Sequence, residues 1–100
     1  MLVESIIDGN RGIGVDSVCY FCKTNLNLER HHIFGGSNRN KSEQYGLTVI
    51  LCHNHHNEPP DGVHHNSLND KMLKSMAQSL AMIRYGWRVD EFQKIFGKIY

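Results

Sequence analysis

Two short ligand pairs, Cys19-x2-Cys22 and Cys52-x2-His55, constrain this 100-residue chain more than any other feature. Each pair places two soft donors within one turn, and 29 residues separate Cys22 from Cys52. Two such knuckles can present four ligands tetrahedrally to Zn²⁺. A domain this short buries a smaller share of its surface than a larger one, so a metal staple compensates for a thin core. Three cysteines make an odd number, which argues against a disulfide framework and for a reducing compartment. Three thiolates and an imidazole fill the coordination sphere and leave no position for water, so the expected zinc is structural.

A second group of ligand-type residues lies between and beside those pairs: Arg30-His31-His32-Ile33, the Gly35-Gly36 turn, an apolar run from Leu47 to Leu51, and His56 directly after His55. Adjacent side chains on an extended strand point to opposite faces, so His31 and His32 serve different surroundings. One can bind a metal while the other acts as a base, a role that suits an imidazole of ordinary pKa near ~6.5.

Charge is distributed unevenly. Residues 1–22 carry Glu4, Asp8 and Asp16 against Arg11, whereas residues 23–41 carry Lys23, Arg30, Arg39 and Lys41 against Glu29. The formal net charge of +1 excludes a tight, non-specific polyanion binder, so affinity for phosphate must come from local charge or bound metal. No apolar run is long enough for a membrane span, and no signal-peptide core follows Met1.

The spacing of Leu68, Met72, Leu73, Met76, Leu80 and Ile83 predicts an amphipathic helix from Ser67, with Ser67 and Asp70 as a capping box and Gly86 at its end. Asp90 is expected to cap a second helix through Phe92, Ile95 and Phe96 before Gly97. Upstream, Val18–Phe21 and Leu47–Leu51 read as β-prone, Gly35–Asn38 as loop, and Gly9–Gly14 as irregular.

The runs CYFC, ERHHIFGG and GLTVILCHNHH, between Val18 and about His65, resemble HNH endonucleases of the ββα-metal fold, especially the small zinc-stapled kind of bacterial and phage genomes. The resemblance implies a single α+β domain over 1–100. Its parts would be an N-terminal segment (1–17), a treble-clef-like zinc and ββα-metal core (18–66) and a tail of two helices (67–100). It implies metal-dependent hydrolysis of DNA phosphodiesters, leaving 5′-phosphate and 3′-hydroxyl ends, in a bacterial or phage-infected cytoplasm. On this pattern His31 and His56 hold a catalytic Mg²⁺, with Mn²⁺ or Ni²⁺ as substitutes, and His64 or His65 in the loop beyond is expected to supply a further ligand, with His64 favoured by the Val63-His64 pair that such phage-type sequences often carry there. His32 is then the general base that activates water.

The literal string His53-Asn54-His55 is coincidental, because His55 belongs to the zinc pair. Two departures from the pattern stand out. Gly46 occupies the place of the usual middle Asn, leaving Asn38, Asn54 and Asn57 as stand-ins to brace His32, and Pro59-Pro60 limits the helix carrying His56 to about one turn. Arg30, Asn38, Arg39 and Lys41 are the expected contacts to the DNA backbone. A non-catalytic treble-clef-like zinc module binding nucleic acid or protein is the alternative. A third reading makes Met72, Met76 and Met82 a partner-binding face. The oligomeric state, monomer or homodimer, is left open.

Overall fold

A computed structural model describes residues 2–100. Its centre is a two-stranded antiparallel ribbon of β1 (Leu28–His32) and β2 (Thr48–Cys52), with Leu28 opposite Cys52 and His32 opposite Thr48. The strands are joined by a 3-10 turn (Gly36–Asn38) and α1 (Arg39–Gln44); α2 (His53–Asn57), α3 (Ser67–Tyr85) and α4 (Val89–Phe96) follow. The chain is thus a small α+β fold in which a ribbon and short helices precede two C-terminal helices. Among the described residues no helix is long and apolar enough to cross a membrane.

All five residues of β2 are buried, as its unbroken apolar run requires. The first β-prone stretch, Val18–Phe21, is not a strand: Lys23 N–H returns to the Cys19 carbonyl at 2.9 Å, and Lys23 takes a positive φ of 65°. That turn folds the first cysteine pair into a knuckle. The strand forms instead at Leu28–His32, whose polar sequence gave no apolar signal. The loop expected at Gly35–Asn38 tightens into the 3-10 turn and runs on into α1. This corner is locked by buried Ser42, whose hydroxyl donates to the Phe34 carbonyl at 2.7 Å and accepts from Phe34 N–H at 3.0 Å.

Helix α3 begins where expected, but Asn66 caps it by accepting from Asn69 N–H at 3.0 Å. Its buried face is Leu73, Ala77, Gln78 and Ala81, whereas Leu68, Met72 and Ile83 are exposed. The alanines let the helix lie close, which recentres the stripe away from the bulkier residues. Met76 and Met82 pack against the core, so they do not share an exposed face with Met72. Arg88, not Asp90, is the N-cap of α4, with its N–H donating to Glu91 Oε1 at 3.0 Å and Asp90 inside the first turn. Gly86 and Gly97 end the two helices at φ 67° and 85°. Phe34, Phe92, Phe96 and Tyr100 form an aromatic cluster that joins α4 and the C-terminus to the end of β1.

The N-terminal segment lies along β2. Ser5 Oγ–H donates to the Thr48 carbonyl, Ile50 N–H donates to Asp8 Oδ2 at 2.8 Å, and Ile6 N–H donates to the Gly46 carbonyl at 2.9 Å. This crossing explains Gly46. Its φ is 72°, and a Cβ there would come within 2.5 Å of the Glu4 carbonyl oxygen. An Asn cannot occupy the position while the segment passes over it. Gly46→Ala is therefore expected to destabilise the domain by more than ~1 kcal/mol. The corresponding loss is several degrees in a thermal scan, roughly 4–8 °C per kcal/mol for a domain of this size. An unchanged transition would contradict the close crossing.

Candidate metal centres

Cys19 and Cys22 come from the knuckle, Cys52 from the last position of β2, and His55 from the first turn of α2. The strand-to-helix junction at Cys52 turns the i and i+3 side chains toward one point. Cys22 Sγ lies 3.8 Å from Cys52 Sγ; His55 Nδ1 lies 3.3 Å from Cys52 Sγ and 3.8 Å from Cys19 Sγ. A tetrahedron with Zn–S bonds of ~2.3 Å has S–S edges of roughly 3.8 Å and S–N edges of roughly 3.6 Å. The four donors are therefore compatible with a structural zinc. Burial pushes the Cys19 thiol up, but backbone hydrogen bonds from Cys22, Cys52 and Phe21 outweigh it and bring it down to about 7. Burial and the two neighbouring sulfurs push the Cys52 thiol up.

The second group is His31, His56 and His64, with one ring nitrogen of each within 4.8 Å of the others. β1 turns His31 inward, the single turn of α2 presents His56, and the loop beyond the prolines brings His64 back through Val63 N–H to the His55 carbonyl at 2.8 Å. His65 is exposed and outside this cluster. His31 is buried, and its Nε2 has no hydrogen-bond partner among the described residues. Burial, reinforced by His56 and His64, pushes His31 down to about 3, so at neutral pH it keeps a lone pair. Burial and His56 also lower His64.

Glu29 sets the tautomer of His56. Its Oε1 lies 2.7 Å from His56 Nδ1, and since a carboxylate only accepts, that nitrogen carries the proton. Neutral His56 then has its lone pair on Nε2, which lies 3.1 Å from His64 Nε2. Asn57 Nδ2 also donates to Glu29 Oε1 at 2.7 Å, and His53 Nδ1 lies 2.8 Å from Oε2. Burial alone would raise the Glu29 pKa, but the hydrogen bonds from His53 and His56 take it below the usual range. A carboxylate behind a histidine is the arrangement that orients metal-binding imidazoles.

His32 faces other partners. Its Nε2 lies 2.9 Å from Glu43 Oε2 on α1, and Arg30 pairs with the same carboxylate through both Nη atoms, Nη2 at 2.8 Å from Oε1. The Arg30 guanidinium holds the Glu43 carboxyl down to about 2, against the smaller opposing effect of burial.

Arg30, Arg39, His31, His32, His56 and His64 line one cleft, of about 270 Å³. Asn38 lines an adjoining cleft of about 380 Å³ with His31, His32 and His64 while its Nδ2 donates to the Phe96 carbonyl at 2.9 Å, and Lys41 Nζ donates to the Ile95 carbonyl at the end of α4. Neither Asn38 nor Asn57 hydrogen-bonds to His32, and Asn54 is exposed; the contact to His32 comes from Glu43. Glu29 and Glu43 are the site residues that sequence reasoning missed. Glu29 shares a strand face with His31 at i and i+2, a signal that was available; Glu43, on a separate helix, offered none.

No protein-family model, curated protein or solved structure matches this chain.

Proposed function

We propose that this protein is a metal-dependent phosphodiesterase acting on DNA, of the HNH endonuclease type, in which His31, His56 and His64 hold a catalytic divalent ion beside a separate structural zinc. One observation carries the reading: three histidines converge beside a fourth, His32, that is tied to a carboxylate, in a cleft flanked by Arg30 and Arg39. A zinc module that only binds nucleic acid or protein would use the Cys3His group equally well, but it has no use for the second cluster.

In this reading the three imidazoles supply neutral nitrogen donors, a set that suits Mn²⁺, Ni²⁺ or Zn²⁺ at least as well as Mg²⁺. When bound, the ion supplies Lewis-acid stabilisation of the phosphate and the departing 3′ oxygen. Glu29 keeps the His56 proton on Nδ1, away from the cluster. Arg39, exposed on the rim, contacts backbone phosphate without reading sequence. His32 takes a proton from the attacking water.

The test is cleavage of supercoiled plasmid by the purified, zinc-loaded chain with Mg²⁺, Mn²⁺ or Ni²⁺, and after brief EDTA treatment that leaves the zinc in place. The expected result is cleavage that EDTA abolishes and fresh divalent ion restores, with His31→Ala and His56→Ala inactive. Equal cleavage by both variants would refute the ligand assignment. A lack of cleavage with every metal and DNA form would leave the binding module as the better reading.

A further inference from the structure

Resting on that hydrolytic reading, we propose that Glu43 is a positioning residue for His32, fixing the imidazole with its proton on Nε2 so that Nδ1 is the nitrogen that accepts the proton of water. The chemistry of the contact sets the direction. The Glu43 carboxylate sits 2.9 Å from His32 Nε2 and only accepts, so Nε2–H donates to it and the lone pair lies on Nδ1.

The carboxylate is itself held. Arg30, two residues before His32 on the same face of β1, pairs with both of its oxygens. The preceding residue, Ser42, is fully buried and bonded to both backbone groups of Phe34. Glu43 thus projects from a fixed point on α1 between two fixed partners, and a site whose supports are locked in this way loses little to reorganisation.

The step balances without a further reactant beyond water. As the water oxygen bonds to phosphorus and the P–O3′ bond breaks, the water's proton passes to His32 Nδ1, and the departing oxygen takes a proton from solvent. The imidazolium that forms carries its positive charge against Glu43, while Arg30 keeps that carboxylate ionised. The carboxylate orients and stabilises; it does not take the proton.

Two readouts test this on the zinc-loaded protein. Nitrogen-15 correlated NMR on the DNA-free chain, above the range in which imidazole titrates, reports which ring nitrogen of His32 carries the proton. The expected signal is a single Nε2–H form, lost or mixed in Glu43→Ala and kept in Glu43→Gln, whose amide oxygen can still accept. In plasmid cleavage, Glu43→Ala is expected to lower kcat by about 10²-fold, the scale of a misplaced catalytic group, with KM nearly unchanged. Glu43→Gln should recover part of that loss.

Glu43 lies outside both ligand clusters, so Glu43→Ala is expected to keep the zinc content of the unmodified chain and to stay folded, with a thermal transition lowered by the loss of its hydrogen bonds to Arg30 and His32. An Nδ1–H form in the unmodified protein, or a kcat for folded Glu43→Ala within about twofold of the original, would overturn the proposal. A Glu43-dependent Nε2–H signal in a chain that cleaves no DNA would support the contact and overturn the hydrolytic reading, so the two fail separately.

Discussion

Cys52→Ala is expected to leave a chain that no longer folds cooperatively. Cys52 is the junction of β2 and α2, is almost fully buried, and stands 3.3 Å from His55 Nδ1 and 3.8 Å from Cys22 Sγ, so it belongs at once to the core and to the ligand set. A structural zinc contributes apparent binding free energy on the order of 10 kcal/mol. The total stability of a small domain is about 5–15 kcal/mol, so losing one of four ligands removes a comparable quantity. Elemental analysis of the unmodified chain should find one tightly bound zinc. The variant should show no sigmoidal thermal transition by circular dichroism and should aggregate on concentration. Unmodified protein that is metal-free and still melts cooperatively would refute the zinc assignment.

The second large effect is on rate. On the hydrolytic reading proposed above, His32→Ala is expected to lower DNA cleavage by roughly 10²- to 10⁴-fold, the contribution of a positioned general base. The fold should survive. The His32 side chain is partly exposed and outside both ligand clusters, and its removal leaves Glu43 paired with Arg30. The stability cost is that of one hydrogen bond to a charged group, about 1.5–3 kcal/mol. Zinc content should be unchanged and the transition moderately lower, and that separation distinguishes a chemical role from a structural one. A folded His32→Ala chain that cleaves at the original rate would place the base elsewhere.

How much of this was legible in the sequence follows from how local each signal is. The cysteine pairs could be read because their geometry is set within three residues, and α3 and α4 because periodicity and the closing glycines lie within the elements themselves. The extended backbone at His31-His32 was expected, but the full span of β1 could not be read, because Leu28-Glu29-Arg30-His31-His32 has no apolar alternation and becomes a strand through pairing with the apolar β2. The α3 stripe was misplaced because close packing favours Ala77 and Ala81 over larger side chains, a choice made by the surface opposite. Asn38 and Lys41 read as a basic, polar loop, yet their donors meet the last carbonyls of α4, 58 and 54 residues along the chain respectively. Glu43 reaches His32 in the same way. Sequence spacing gives ligands that share one turn; it does not give partners assembled by tertiary packing.

The contacts of Ser5, Asp8 and Tyr20 along β2 bear on association between copies. A two-stranded ribbon has outer edges whose free backbone groups can template another chain's strand. On β2 the Ile50 N–H is taken by the Asp8 carboxylate, the Ile50 carbonyl by Tyr20 N–H at 2.8 Å, and the Thr48 carbonyl by the Ser5 hydroxyl. Side chains and a turn thus cap this edge without themselves forming a strand, so they offer no new template in its place. Strand addition along β2 is closed, and a homodimer of this chain has to be built on another surface.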